Sequence, residues 1–178
     1  MDRVLQLSMY ALKRLKNFDY IKLWYFTPQG CDEAILLDQT CNQDALALMQ
    51  VNSIMTLRLI DAVTASKNVL SDEALSWDHI CLAQQVMLHH MKELAWEEEY
   101  IFVLADFFLR LHLHPKRLHK HWQEAIILYQ AQIRQDWHRK LSNIHAEEVF
   151  NISAINENLL KDLVEKVSDQ KKAKMMQQ

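Results

Sequence analysis

The stretch LHKHWQEAIILYQAQIRQDWHRKL, residues 118–141, decides the fold class. Within it Leu118, Trp122, Ile126, Tyr129, Ile133, Trp137 and Leu141 recur at steps of three and four residues. That is one stripe of a helix with a 3.6-residue period. Aromatic rings bury roughly 150–250 Å² each, so a stripe holding Trp122, Tyr129 and Trp137 must pack against the rest of the chain or against a partner. A long helix from about Arg117 to Leu141, made for packing, is the expectation.

Composition widens this to the whole chain. Of 178 residues, 50% are hydrophobic, enough for a proper core and too many for a disordered chain. Gly occurs once and Pro twice, whereas an all-β protein needs many Gly- and Pro-bearing turns. An all-α fold follows: a single helical domain of about five to six helices with an irregular N-terminal third. The formal net charge is −3; residues 1–90 carry 7 basic and 10 acidic side chains, and residues 91–178 carry 13 of each. Neither half is a basic nucleic-acid arm. Cys31, Cys41 and Cys81 are odd in number and lack CxxC spacing, which fits a reducing compartment better than a disulfide framework. Neither a signal peptide nor an apolar run of membrane-spanning length is visible. An intracellular protein, cytoplasmic or nuclear, with no membrane partner is the expectation.

Three segments are expected. Residues 1–75 hold an N-terminal helix over 2–17, an aromatic run Asp19–Phe26 read as a buried extended or short helical element, a turn at Thr27-Pro28-Gln29-Gly30, and irregular structure over 31–75. Within that last stretch, Ala34–Leu37 and Ala45–Met49 could form helical turns, and Ile54–Ile60 could be extended. Residues 76–170 form the helical core. Ser76 caps a helix to about Leu94. A second helix begins near Trp96 with Glu97, Glu98 and Glu99 in its first turn. Its body, residues 100–109, is apolar nearly all round and is expected mid-domain or at an interface. His114-Pro115 ends it. The long helix follows, then a last helix after a Ser153 cap, burying Ile155, Leu159, Leu160, Leu163, Val164 and Val167. Residues 171–178 should fray.

The chemical candidates are few. His112, His114, His119 and His121 flank Pro115 as two His-x-His pairs, and imidazole is the commonest metal ligand. Residues two apart on a helix diverge by about 200°, so only a loop would converge them; a polar helix connection is the simpler reading. His89 and Glu93 share a helix face but lack the His-Glu-x-x-His spacing of a metalloprotease. Asp136, His138 and Arg134 resemble fragments of an acid–base set, yet no Ser or Cys nucleophile sits in a strained Gly-flanked turn and no Gly-rich phosphate loop exists. They read as the solvated side of the long helix, and no enzyme is expected. A basic set, Arg117, Lys120, Arg134, Arg139 and Lys140 together with Lys116, could line one flank of that helix and touch phosphate; Glu124 and Asp136 interrupt it. Trp24, Tyr25, Phe26, Trp96, Trp122, Tyr129 and Trp137 are the expected core or interface anchors. No cofactor and no small-molecule substrate are implied.

Several blocks carry a resemblance. They are Phe18-Asp19-Tyr20 with Leu23-Trp24-Tyr25-Phe26-Thr27-Pro28-Gln29-Gly30-Cys31; Leu75-Ser76-Trp77; Phe107-Phe108 with His114-Pro115; residues 129–138; and Phe150-Asn151-Ile152 with residues 155–160. Together they span Phe18 to Leu160. The chain resembles Gag-like structural proteins of fungal, basidiomycete-type retroelements. Such proteins often carry a cysteine-rich zinc finger, which this chain lacks, and often a glycine before the mid-chain tryptophan, where Ala95 precedes Trp96. The resemblance implies a helical domain of a longer protein or a relative without a nucleic-acid module. It further implies self-association into a capsid-like shell or homo-oligomer around element RNA. The competing expectation is a nucleic-acid-binding accessory domain of a mobile element, using the basic flank of the long helix.

Overall fold

Ser8, Thr27, Ser76 and Asn156 set where four of the helices begin. Each side-chain oxygen accepts a hydrogen bond from the amide three residues on, from Ala11 (3.2 Å), Gly30 (3.3 Å), His79 (3.2 Å) and Leu159 (3.1 Å) respectively. This satisfies amides that a helix start otherwise leaves unpaired. The structure, a computed structural model, describes residues 5–47, 64–143 and 149–178. Among these it is all helical: α1 Met9–Lys16, α2 Pro28–Ala47, α3 Trp77–Glu93, α4 Glu98–His112, α5 Trp122–Ser142 and α6 Glu157–Met176, with 3₁₀ turns at Leu23–Phe26 and Asp72–Ala74. The Leu23–Phe26 turn packs on α2 and α3, α3 lies on α4, and α5 lies on α6 and on the Asp72–Ala74 turn. One buried cluster joins Leu15 and Phe26 to Ile80, Leu104, Tyr129 and Leu160, so the N-terminal third shares the core of the rest.

Where boundaries move, a local cause is visible. α1 begins at Met9 rather than residue 2 because Ser8, in extended backbone, caps it, and Leu7 just before it lies in the core. The expected turn at Thr27-Pro28-Gln29-Gly30 is the start of α2. Pro at the first helical position gives up an amide that has no partner there anyway, and Thr27 takes the cap. α2 then runs on to Ala47, where irregular structure was expected; the extended reading of Ile54–Ile60 lies outside the described residues. Gly30 is required for packing: a Cβ there would collide with the Trp24 carbonyl oxygen and sit 2.9 Å from Tyr25 Cα. α5 starts at Trp122, not Arg117. Residues after Pro115 form turns, His121 takes φ 68°, and Leu118 falls off the stripe into solvent. α6 is capped by Asn156, while Ser153 is buried and donates to Asn151 Oδ1 at 2.8 Å. α6 stays helical to Met176, past the start of the expected fraying.

Two helix ends are pinned to one another. After α1, the amides of Phe18 and Asp19 bond back to Leu15 and Arg14 carbonyls (3.2 and 3.0 Å). After α3, those of Ala95 and Trp96 bond back to Lys92 and Met91 (3.1 and 3.1 Å). Both are Schellman closures, which place one residue in the left-handed region where glycine is preferred. Here those residues are Phe18 (φ 62°) and Ala95 (φ 56°). Phe18 offsets its cost by packing edge-on to Trp96, ring centroids 4.6 Å apart, and Trp96 Nε1 donates to the Leu15 carbonyl at 3.2 Å. Ala95 is exposed and its side chain gains nothing comparable. Left-handed backbone costs an L-residue roughly 1–2 kcal/mol, partly recovered for Ala over Gly through the unfolded chain. Ala95→Gly is therefore expected to stabilise the fold by about 0.5–1 kcal/mol, read as a higher urea midpoint at constant slope. A lowered midpoint would contradict the closure.

Candidate functional site

A charged pair lies at the centre of the packing. Asp72, in the short turn before α3, and Arg134, in the middle of α5, bond at 3.0 Å with both side chains 0% exposed. An isolated charge there would be prohibitively costly, so the partners must satisfy one another's remaining bonds. They nearly do. Asp72 Oδ1 accepts from the Leu23 amide (2.9 Å), and Oδ2 accepts from Tyr20 Oη (3.0 Å), Gln130 Nε2 (2.9 Å) and Arg134 Nη1. Arg134 Nη2 donates to the Ile21 carbonyl (2.9 Å), and the guanidinium lies 4.9 Å from the Tyr20 ring centroid. Only Arg134 Nε lacks a partner. The hub ties the aromatic arm, the Asp72 turn and α5 into one unit. Burial pushes the Tyr20 hydroxyl up to about 12, so it stays a donor to Asp72.

One turn further along α5, His138 is also buried. Its Nδ1 donates to the Phe18 carbonyl at 2.8 Å, which leaves Nε2 as a bare acceptor without a partner. Burial, with the nearby Arg134 charge second, pushes its pKa down to about 3. These observations correct the reading of Arg134 and His138 as a solvated face. The helix buries them because the Asp72 turn and the aromatic arm close over that side.

The basic set changes accordingly. Arg134 is spent on Asp72 and cannot reach phosphate. Arg139 is paired with Asp136 at 3.0 Å. Arg117 holds the His112 carbonyl (2.7 Å) and Gln123 Oε1 (3.2 Å) and lies over the Trp77 ring. Lys120 lies in the turns before α5 and Lys140 in its last turn, about 27 Å along the helix from Trp122 at 1.5 Å per residue, so these groups do not form one patch. The histidines are likewise divided. His112 stacks on Trp77 and its Nδ1 accepts from Trp77 Nε1 at 3.2 Å; His114 stacks on Trp122 and meets the Glu157 carboxylate at 3.2 Å. His119 is exposed, and His121 takes the left-handed position before α5. Among the described residues no three His, Cys, Asp or Glu side chains come together to hold a metal.

The aromatic anchors lie inside. Trp24, Tyr25, Phe26, Trp96, Tyr129 and Trp137 are buried core, and Trp122 is half-buried under His114 and Lys116. Among the described residues, exposed large apolar side chains include Leu36 on α2, Leu82 on α3, Leu118 before α5, Met175 and Met176 at the end of α6, and a row on α4. Its residues 100–109 are not apolar all round in the packed sense: Leu104, Phe107 and Phe108 face the core, while Phe102 (75% exposed), Leu109 (54%) and, just past the helix, Leu113 (68%) face outward. Seven and four residues apart, they share one side of the helix. Beside Leu109, a groove of about 340 Å³ opens between α3 and α4, lined by Ala105, Cys81, Gln85 and Leu88, with Trp77 and His112 at one end. Burial raises the pKa of the Cys81 thiol, so it is held protonated at neutral pH. No signal in the sequence singled out this groove, because Cys81 and His112 are brought within 3.8 Å only by α3 and α4 packing side by side.

No family model, curated protein or solved structure matches this chain. Among the described residues, no helix is long and apolar enough to cross a membrane.

The hub generates two predictions. Arg134→Met is expected to cost about 3–5 kcal/mol by stranding a buried carboxylate. Adding Asp72→Asn should recover part of that loss, giving a double-mutant coupling of at least about 1 kcal/mol; additive losses in urea unfolding would contradict a shared hub. His138 sets the acid limb. The unfolded chain protonates it below its ordinary value of 6.5 and the folded chain only near 3. Its contribution to stability is therefore complete above pH 6.5 and lost as pH falls toward 3, at up to about 1.4 kcal/mol per pH unit. His138→Gln, which keeps a donor for Phe18, should flatten unfolding free energy over that window. An unchanged slope between pH 6 and 4 would show that other groups carry it.

Proposed function

We propose that this chain is a non-enzymatic structural module that associates with further copies of itself, the role filled by the Gag-like proteins of retroelements that its sequence blocks resemble. The observation that supports this reading is the outward face of α4, where Phe102, Leu109 and Leu113 stand in solvent on a helix whose other side is firmly built into the core. A large aromatic and two leucines aligned on a rigid helix form the kind of patch that marks a protein interface. The polar chemistry of the interior is spent on holding the fold, with Asp72, Arg134, Gln130 and Tyr20 satisfying one another out of reach of solvent. Assembly through the aromatic stripe of α5 is not favoured, since Tyr129 and Trp137 already lie under α4 and α6.

Light scattering across a concentration series, at low and high salt, tests this. Reversible growth into dimers or larger species is expected, persisting at high salt because the face is apolar. Trp137→Ala should act differently, lowering stability by about 3–5 kcal/mol through the core. A strict monomer at every concentration would overturn the self-association reading.

A further inference from the structure

The exposed face of α4 is not uniform along its length, and its asymmetry points to its occupant. Phe102 projects from the N-terminal half of the helix. The groove between α3 and α4 opens beside the C-terminal half, at Ala105, Leu109 and His112. Charge follows the same division: Glu98 and Glu99 stand exposed at the N-terminal end and Lys116 just past the C-terminal end, while Arg110 is paired with Asp106 one turn back at 2.8 Å. A helix with a projection and negative charge at one end, and a recess and positive charge at the other, is complementary to itself turned end over end.

We infer that a second copy of this chain covers this face, with α4 packed antiparallel on α4 about a two-fold axis near the middle of the helix, and Phe102 of each copy seated in the α3–α4 groove of the other. The inference rests on the self-association reading above. An isologous contact of this kind uses each patch twice and closes at a dimer. Phe102 leaves water for the wall made by Cys81, Leu88 and Leu109, and each Leu113 approaches the opposite helix start. Glu98 of one copy then faces Lys116 of the other, and the two helix dipoles run antiparallel. A parallel pairing would instead set Glu98 against Glu98 and Arg110 against Arg110, with Phe102 against Phe102 and both grooves empty. Exposed charges at the ends of such a contact fix its register more than its strength.

Sedimentation of the wild-type chain and disulfide trapping of Phe102→Cys test this together. The wild type is expected to dimerise reversibly. Phe102→Asp, which keeps its helical circular dichroism because the side chain is in solvent, should raise the dissociation constant by about tenfold or more, as loss of a central anchor does. Oxidised at pH 8.5, Phe102→Cys should give a covalent dimer whose linked peptides join position 102 of one copy to Cys81 of the other, and adding Cys81→Ser should abolish it. With the axis level with residues 106 and 107, where Glu98 meets Lys116, the two 102 positions lie about 14 Å apart along the helix, so a link between them would overturn the arrangement. A wild type that associates while Phe102→Asp associates equally well and no link to Cys81 forms would overturn this interface and leave self-association standing. A wild type that stays monomeric would overturn both.

Discussion

The Asp72–Arg134 pair is the constraint on which the rest depends. A carboxylate and a guanidinium without solvent access have to be surrounded by donors and acceptors, and those come from three separated parts of the chain: Tyr20, Ile21 and Leu23 from the aromatic arm, Asp72 from its turn, and Gln130 and Arg134 from α5. Hydrophobic burial alone would let the arm slide on the helices with little change in area. The hub penalises such sliding, because any shift leaves a charge or an amide unpaired. Register between the N-terminal third and α5 is set there, and the aromatic contacts follow it.

His138 extends the same logic one turn along α5. Its single donor holds the Phe18 carbonyl, at the corner where α1 ends in a left-handed residue. The Phe18 ring covers Trp96, which in turn holds the last turn of α1. Two helix ends, one buried imidazole and one indole therefore form a single clamp, polar on its backbone side and aromatic on the other. With the interior so fully committed, the outward row of α4, Phe102 and Leu109, stands apart from the core. α4 can bear such a face because its inner side, Leu104, Phe107, Phe108 and Leu111, is fixed by the core whether or not the outer side is covered.

Much of the helical architecture was legible in the sequence. The period of residues 122–141 and the Ser76 cap speak through local chemistry, which a linear reading captures. α2 was missed because Thr27-Pro28-Gln29-Gly30 serves equally as a turn or as a capped helix start, and only the packing of Gly30 against the Trp24 and Tyr25 backbone decides between them. Arg134 and His138 were misplaced for a related reason. Polar residues on an amphipathic helix normally face water, and their burial depends on Asp72, some sixty residues away in a stretch read as irregular. The outward side of α4 was half legible: residues 100–109 read as mid-domain or interface, and only the placing of the neighbouring helices separates the buried Leu104, Phe107 and Phe108 from the exposed Phe102 and Leu109. The chemistry of the interior was thus the least legible part, since it is made by long-range pairing rather than by spacing.

Hydrogen exchange of backbone amides, followed by mass spectrometry at low and high protein concentration, tests the central claim most directly. If the interior is complete within one copy and α4 is the contact face, residues 20–26, 72–74 and 130–138 should be equally protected at both concentrations, with added protection at high concentration confined to α4 and the facing side of α3. Concentration-dependent protection centred on α5 and the aromatic arm, with α4 unchanged, would contradict the account.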